Sequence, residues 1–276
     1  MRELKALLSG RPVVALTGAG VSTDSGIPDY RGPDGVMRHA PPVQYQDFVR
    51  SEARRKRYWA RSVVGWPRFS RAAPNEAHRA LAAMEARGAL RGVITQNVDG
   101  LHGAAGSARV IELHGALSRV RCLACGAVES RDSLQNRLIA LNPWVTRVHA
   151  DVAPDGDSEV AREVEARFVV APCETCGGML KPDVVFFGEN VPKPVVDDAW
   201  RLFDEAAVLL VLGTSLTVFS GYRFVLRAAE RGVDVAIINR GATRGDEVAR
   251  VKLDAGVADA LAALEASTAN ARTRDA

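Results

Sequence analysis

The sequence predicts an α/β fold: a parallel β-sheet with helices on both faces, interrupted by a smaller cysteine-bearing module and by a helical module. Three observations lead there. Short, wholly apolar runs recur along the 276 residues, separated by stretches of helical periodicity. A strand that is apolar at every position is buried on both faces, as in a parallel sheet. Each run also ends in small or polar residues, at the strand ends where open α/β sheets hold ligands. Finally, all four cysteines fall in two Cys-x-x-Cys pairs, inside one segment that breaks the alternation.

Taken in order, Pro12–Thr17 reads as the first buried strand, followed by Gly18-Ala19-Gly20-Val21-Ser22 and a turn through Gly26-Ile27-Pro28-Asp29-Tyr30-Arg31. Helical stretches are expected near 44–62 and 75–87, the second opening at Asn75 after Pro74. Gly92–Thr95 and Val110–His114 are the next strands, the former ending in Gln96-Asn97-Val98-Asp99. The segment Ala153–Asp157 is rich in Pro, Asp and Gly and reads as a loop. Val184–Phe187, Ala207–Leu212 and Val233–Ile238 complete the strands, the last two ending in Gly213-Thr214-Ser215 and Asn239. The expected organisation is a large sheet domain of residues 1–31, 81–116 and 183–266, a helical module at 32–80, a metal-binding module at 117–182 and a disordered tail at 267–276.

Composition narrows the function classes. Hydrophobic content of 47% and charged content of 25% are ordinary for a globular protein. A net charge of +3 does not by itself call for nucleic acid. Arg50–Arg71 carries many arginines with Tyr58, Trp59, Trp66 and Phe69, the ingredients of a nucleic-acid stripe; a helical module with a solvated charged face explains it more simply. No apolar run approaches membrane-spanning length, and the first ten residues lack a secretory pattern. With reduced cysteines, this suits a cytoplasmic protein.

Cys122, Cys125, Cys173 and Cys176 supply four thiolates as two clips, the donor set of a closed tetrahedral zinc site. Redox dithiols or disulfides are the alternative; the zinc reading leaves no cysteine over. Such a site has no open position, so the chemistry lies elsewhere. Gly18-Ala19-Gly20 after a strand suits a phosphate cradle, though Thr23 stands where the usual third glycine would be, and a plain tight turn fits as well. Gln96, Asn97 and Asp99 crowd amide and carboxylate heads at one strand end, either to bind a carboxamide and a ribose or to cap a helix. His114 closes a strand at the same edge and suits general-base work on a hydroxyl. His39, His78, His102 and His149 read as structural by default.

Together the ordered motifs resemble the sirtuins, the NAD-dependent protein deacylases: Gly-Ala-Gly-Val-Ser (18–22), Gly-Ile-Pro-Asp-Tyr-Arg (26–31), Thr-Gln-Asn-Val-Asp (95–99), His-Gly (114–115), the two cysteine pairs, Lys-Pro-Asp-Val-Val-Phe-Phe-Gly-Glu (181–189), Gly-Thr-Ser-Leu (213–216) and Ile-Asn-Arg (238–240). The resemblance runs from about Pro12 to Leu264. Phe48–Ser51, Arg57–Arg61, Gly65–Pro67, Ser220–Phe224 and the long stretch between the cysteine pairs are similar to the class II, sirtuin-4-like branch.

The resemblance implies a Rossmann-like large domain, NAD and Zn²⁺ as cofactors, and acyl-lysine proteins or peptides as substrates, in a protein expected to be a monomer. It implies that Gly18, Ala19, Gly20 and Ser22 hold a pyrophosphate with Arg31 nearby. Ile27 and Asp99 would clamp the nicotinamide carboxamide, and Gln96 and Asn97 the adjoining ribose. Gly213, Thr214, Ser215, Asn239 and Arg240 would line the adenosine half, with Val257 acting through its backbone. His114, with Asn97, would carry the catalysis. Val184, Val185, Phe187, Gly188, Glu189 and Leu216 would offer edges to an extended acyl-lysine peptide. Of the Tyr-x-x-Arg pair by which the desuccinylase branch reads acyl carboxylates, Gly35-Val36-Met37-Arg38-His39 lacks the tyrosine; Arg38 could still meet a carboxylate, but the flexible Met37 suits an apolar tail better, so acetyl or longer neutral acyl groups are expected.

Overall fold

A computed structural model of the chain describes residues 1–30, 32, 36, 42–148 and 160–272, with side chains described as far as residue 266. Arg31, the Met37-Arg38-His39 stretch, His149 and the Ala153–Asp157 loop lie outside the described residues.

The strands are β1 (Val13–Thr17), β2 (Val93–Thr95), β3 (Val110–Glu112), β4 (Gly115–Cys122), β5 (Val128–Ser130), β6 (Leu180–Val184), β7 (Val208–Leu212), β8 (Asp234–Ile238) and β9 (Val251–Leu253). The helices are α1 (Arg2–Leu8), α2 (Tyr45–Arg50), α3 (Glu52–Phe69), α4 (Glu76–Ala86), α5 (Leu101–Ala104), α6 (Arg131–Leu141), α7 (Arg162–Arg167), α8 (Lys193–Phe203), α9 (Phe219–Arg231) and α10 (Val257–Arg272). Six strands form one parallel sheet in the order β3-β2-β1-β7-β8-β9. The chain winds outward from β1 in one direction through β2 and β3, and in the other through β7, β8 and β9. The reversal between β1 and β7 opens a crevice at their carboxyl ends, as expected of a doubly wound sheet.

Alternation along β1 explains why its run is apolar throughout. Val13 and Ala15 face Leu4 and Leu7 of α1, Leu81 and Met84 of α4, and Leu261 of α10. Val14 and Leu16 face Leu202 and Phe203 of α8 and Phe224 and Val225 of α9. Both faces are covered, so Val13–Leu16 leave no position for a polar residue, and Thr17 at the carboxyl end is satisfied by Thr95 and His102.

The smaller sheet, β5-β4-β6, is antiparallel and carries the cysteine segment. Its core is shared with the helical segment: Phe48, Tyr58, Trp59 and Val63 pack with Val120, Leu134, Leu138, Phe168 and Leu180. The Val184–Phe187 run corrects the sequence reading. Only Val184 is in a strand, the last residue of β6, and it pairs with Gly115 across the small sheet instead of joining the large one. Strands β4, β5 and β9 were not anticipated. β9 is three residues long, and β4 is half-exposed and irregular in register between Gly115 and Val120, so neither prints an apolar run. Helix α10 continues to Arg272, into the segment expected to be a tail. Among the described residues no helix is long and apolar enough to cross a membrane.

Candidate active site

One cavity of about 1070 Å³ opens along the carboxyl edge of the large sheet and runs between it and the smaller module. It is lined by Gly18, Ala19, Gly20, Ser22, Ile27, Gln96, Asn97, Asp99, His114, Val184, Val185, Phe187, Gly188, Glu189, Gly213, Thr214, Ser215, Asn239, Arg240 and Val257. Of the residues expected to carry catalysis, cofactor or peptide, only Arg31, outside the described residues, and Leu216 are missing. Leu216 is wholly buried in the core beneath α9, and its N–H donates to Thr214 Oγ1 at 3.1 Å. Its φ of 59° is unusual for a residue with a side chain and marks a tight turn after β7.

The glycines at the crevice make a close approach between two loops. A Cβ on Gly18 would stand 2.6 Å from Thr214 Cβ, and one on Gly20 would stand 2.9 Å from the Gly213 carbonyl. Gly213 itself has φ +58° with the Val21 nitrogen 2.6 Å from where its Cβ would be. The β1 and β7 loops therefore interlock without side chains and leave backbone along the crevice wall, the surface a pyrophosphate needs.

Beyond β2 the polar heads are joined to one another. Asn97 Nδ2 donates to Ser22 Oγ at 3.0 Å, and Ser22 Oγ donates to Asp99 Oδ2 at 2.7 Å. The other Asp99 oxygen accepts from the Leu101 N–H at 2.9 Å. One Asp99 oxygen thus holds the first N–H of α5, and the other is anchored by Ser22 at the cavity wall. The Ile27 N–H donates to the Ser22 carbonyl at 3.3 Å, so a ligand amide would meet Ile27 through its carbonyl. Gln96 Nε2 donates to Thr214 Oγ1 at 3.1 Å, tying the β2 end to the β7 end.

Behind this wall lie His78 and His102, with ring centroids 4.8 Å apart. Thr17 Oγ1 donates to Thr95 Oγ1 at 2.8 Å, so it accepts from His102 Nε2, 2.9 Å away. That leaves His102 Nδ1 buried without a partner, and burial pushes its pKa down to about 3. His78 closes a capping box with Asn75 at the start of α4, and burial lowers its pKa against the pull of Asp99. Both histidines brace the wall, as the default reading expects.

His114 is two residues past β3 and half-buried. Its Nδ1 lies 2.9 Å from the Gln96 carbonyl, which can only accept, so Nδ1 carries the proton. Nε2 is then the basic atom, and it lies 2.7 Å from Ser220 Oγ. Burial pushes the His114 pKa down to about 4, with Arg223 adding to the fall and the Gln96 carbonyl opposing it. The ring is neutral near pH 7, with its Nε2 lone pair met by the Ser220 hydroxyl.

Residues expected to offer edges to a peptide are already engaged within the chain. The Val185 N–H donates to the His114 carbonyl and the Phe187 carbonyl accepts from the Tyr45 N–H, each at 2.9 Å. Glu189 Oε2 accepts from the Phe186 N–H at 2.9 Å and pairs with the buried Lys181 at 3.0 Å. Lys181 also donates to the Val184 carbonyl. Sequence reasoning missed Lys181 as a brace, Tyr58, Phe69, Val98, Leu117 and Phe186 as cavity wall, and Ser220 and Arg223 as neighbours of His114. Ser220 and Arg223 carried one signal: they are three apart in the first turns of α9, hence on one face.

The four cysteines also converge. All their sulfurs lie within 4.8 Å of one another, with Cys122 and Cys176 at 3.5 Å and Cys125 and Cys173 at 3.9 Å. None forms a disulfide. Four thiolates at about 2.3 Å from a central zinc stand about 3.8 Å apart, so the cluster fits that ion.

Known proteins resemble the chain along nearly all its length. The model of the Sir2 family matches residues 18–220. A protein of Mycobacterium avium (strain 104) named NAD-dependent protein deacetylase 1 is 55% identical over 267 residues, covering 95% of this chain and 93% of its own length. An NAD-dependent protein deacetylase of Xanthomonas axonopodis pv. citri is 51% identical over 251 residues, covering 91% of this chain and 86% of its own. A solved structure of Sir2 with a p53 peptide and NAD+ superposes with a TM-score of 0.79 at 30% identity, covering 98% of each chain. A family model that spans most of the chain, and relatives more than half identical over nine-tenths of it, show that the chain belongs to the Sir2 family.

Proposed function

We propose that this protein is an NAD-dependent protein-lysine deacylase that releases nicotinamide and O-acyl-ADP-ribose. The observation that carries the reading is the placement of His114. The residue lines one cavity, with its basic Nε2 beside Ser220, and that cavity's wall combines the glycine-rich crevice with an apolar cluster of Phe69, Val98, Leu117, Val184 and Phe186. The crevice suits a dinucleotide and the apolar wall an acyl-lysine chain.

Bound NAD supplies the nicotinamide leaving group and the ADP-ribose that accepts the acyl group. Gly18, Ala19, Gly20 and Ser22 line the place for its pyrophosphate; Gly213, Thr214, Ser215, Asn239, Arg240 and Val257 line the adenosine end. Ile27, Asn97 and Asp99 offer a carbonyl, an amide and a carboxylate to the nicotinamide half. His114 Nε2 takes a proton from a ribose hydroxyl, and its Nδ1–H stays on the Gln96 carbonyl, so the ring holds its orientation as charge develops. The Phe187-Gly188-Glu189 turn receives the peptide. Since Val185 N–H and Phe187 carbonyl are already paired, the peptide strand adds to the groups that remain. Zinc, held by Cys122, Cys125, Cys173 and Cys176, is structural.

Two finer readings belong here. The apolar cluster in the cavity wall supports acetyl or longer neutral acyl groups over charged ones. The Ser220–Phe224 segment and the aromatic α3 support the class II, sirtuin-4-like branch.

The test is turnover of acetyl-, butyryl- and succinyl-lysine peptides with NAD, comparing the parent with His114→Ala. General-base removal costs about 10²–10⁴-fold, with NAD binding by calorimetry nearly unchanged. A His114→Ala variant keeping most of its turnover would reject the base assignment.

A further inference from the structure

His114 and three residues around it form one continuous chain. Arg223 Nε donates to the Ser220 carbonyl at 3.1 Å. Ser220 Oγ donates to His114 Nε2 at 2.7 Å, because the proton of the ring is on Nδ1, held by the Gln96 carbonyl. Thus Ser220 meets the base at the nitrogen that must take the substrate's proton.

The approach of Ser220 depends on the next residue. Gly221 lies against the Gln96 side chain so closely that a Cβ there would stand 2.4 Å from Gln96 Oε1. The first turn of α9 is therefore docked on the same residue whose carbonyl orients His114. The ring is held at both nitrogens by elements that also touch each other. The charged group bearing on the ring is Arg223 of α9; Gln96 presents only a neutral carbonyl and Ser220 only a hydroxyl.

We propose that Ser220 is a positioning residue for the base: its hydroxyl aligns the His114 ring, with the Nε2 lone pair toward the cavity, until a substrate hydroxyl takes over that hydrogen bond. The inference rests on the deacylase reading and on His114 as its base. Its chemical content is one exchange of donors. The Ser220 O–H rotates off Nε2, the ribose O–H donates in its place, and the ribose proton moves to Nε2. No bond of Ser220 breaks.

A donor on Nε2 stabilises the neutral ring, so removing it raises the proton affinity of His114. A residue that only packed α9 against the sheet would leave that property unchanged.

The experiment compares the full-length, zinc-loaded parent with Ser220→Ala and Ser220→Thr, with His114→Ala as control. Without NAD, ¹⁵N-histidine NMR follows the His114 nitrogens against pH. The parent is expected to show the Nδ1–H tautomer, and Ser220→Ala a titration displaced to higher pH. With NAD and an acetyl-lysine peptide, Ser220→Ala is expected to lose about 3–10-fold in kcat, the scale of one hydrogen bond, with the acid limb of kcat/KM moved the same way. Nicotinamide release, which precedes the base's step, should stay near the parent's rate. Ser220→Thr keeps the hydroxyl and should restore both readouts. An unchanged titration and turnover in Ser220→Ala, or faster turnover, overturns the proposal. An active His114→Ala instead overturns the base reading, so the two failures are distinguishable.

Discussion

Ser22 Oγ donates to Asp99 Oδ2 at 2.7 Å while accepting from Asn97 Nδ2 at 3.0 Å. One hydroxyl thus joins the loop after β1 to the loop after β2 and sets the direction in which the Asp99 carboxylate faces the cavity. Ser22→Ala leaves Asn97 Nδ2 without its acceptor and frees the carboxylate to turn. A hydrogen bond to a charged group is worth about 1.5–3 kcal/mol. Expected is a loss of roughly 10–100-fold in kcat/KM for NAD, with a fold intact by circular dichroism. Steady-state kinetics with NAD varied checks it; parent-like kcat/KM would mean that Ser22 does not orient Asp99.

The interlocked glycines predict a steep steric penalty. Gly213→Ala must place a Cβ 2.6 Å from the Val21 nitrogen at a φ of +58°. Overpacking of this kind costs about 1–3 kcal/mol, and the left-handed backbone adds to it. Gly10→Ala, also at positive φ (+68°) but with nothing within 4 Å, serves as the control. The urea midpoint of Gly213→Ala should fall well below that of the control, and NAD binding should weaken only in Gly213→Ala.

Zinc should matter to the active site without touching substrate. Cys122 and Cys173 belong to the same core as Tyr58, which lines the cavity. One zinc per chain is expected by elemental analysis. Cys122→Ser should lose the metal, melt at lower temperature and lose deacylation in parallel. A zinc-free variant with full activity would detach the metal module from function.

Lys181 braces the Phe187–Glu189 turn, which we propose receives the peptide, through Glu189 and the Val184 carbonyl. Burial lowers its pKa, and Glu189 opposes that fall. Lys181→Met removes the cation and leaves Glu189 unpaired. The expected signature is a several-fold rise in peptide KM and a lower melting temperature, with the Kd for NAD unchanged. A shift in NAD affinity of equal size would place the effect elsewhere.

Stability should fall as the medium becomes acidic, through the buried histidines. The folded pKa values of His102 (about 3) and His114 (about 4) lie below the ordinary value of 6.5. Between those values and 6.5 the unfolded chain binds protons that the folded chain refuses. This contribution is full above pH 6.5 and declines as pH drops, by about 1.4 kcal/mol per pH unit for each histidine. His102→Gln, which retains a donor toward Thr17, should flatten the dependence. Urea midpoints at pH 7, 5.5 and 4.5 measure it; equal slopes in parent and variant would remove His102 from the account.

The large sheet was legible because burial on both faces writes itself into every position of Val13–Thr17 and Val208–Leu212. The crevice was legible because glycines and polar heads mark the strand ends, and the cluster because two Cys-x-x-Cys spacings supply its four sulfurs. Other features were not local. Val184–Phe187 looks like a sheet strand by composition, but its partner is Gly115, and pairing across the small sheet ends β6 at Val184. Leu216 sits in a site motif, but the turn after β7 buries its side chain under α9.

By itself the sequence determined which residues are apolar, which are chemically able, and in what order they occur; periodicity and spacing carry that information along the chain. Only the tertiary structure decided which of them meet. Ser220 and His114 are 106 positions apart, and no pattern within either segment encodes their 2.7 Å contact. It arises because β2 and β7 both flank β1, which brings the segment after β3 and the start of α9 to the same edge of the sheet.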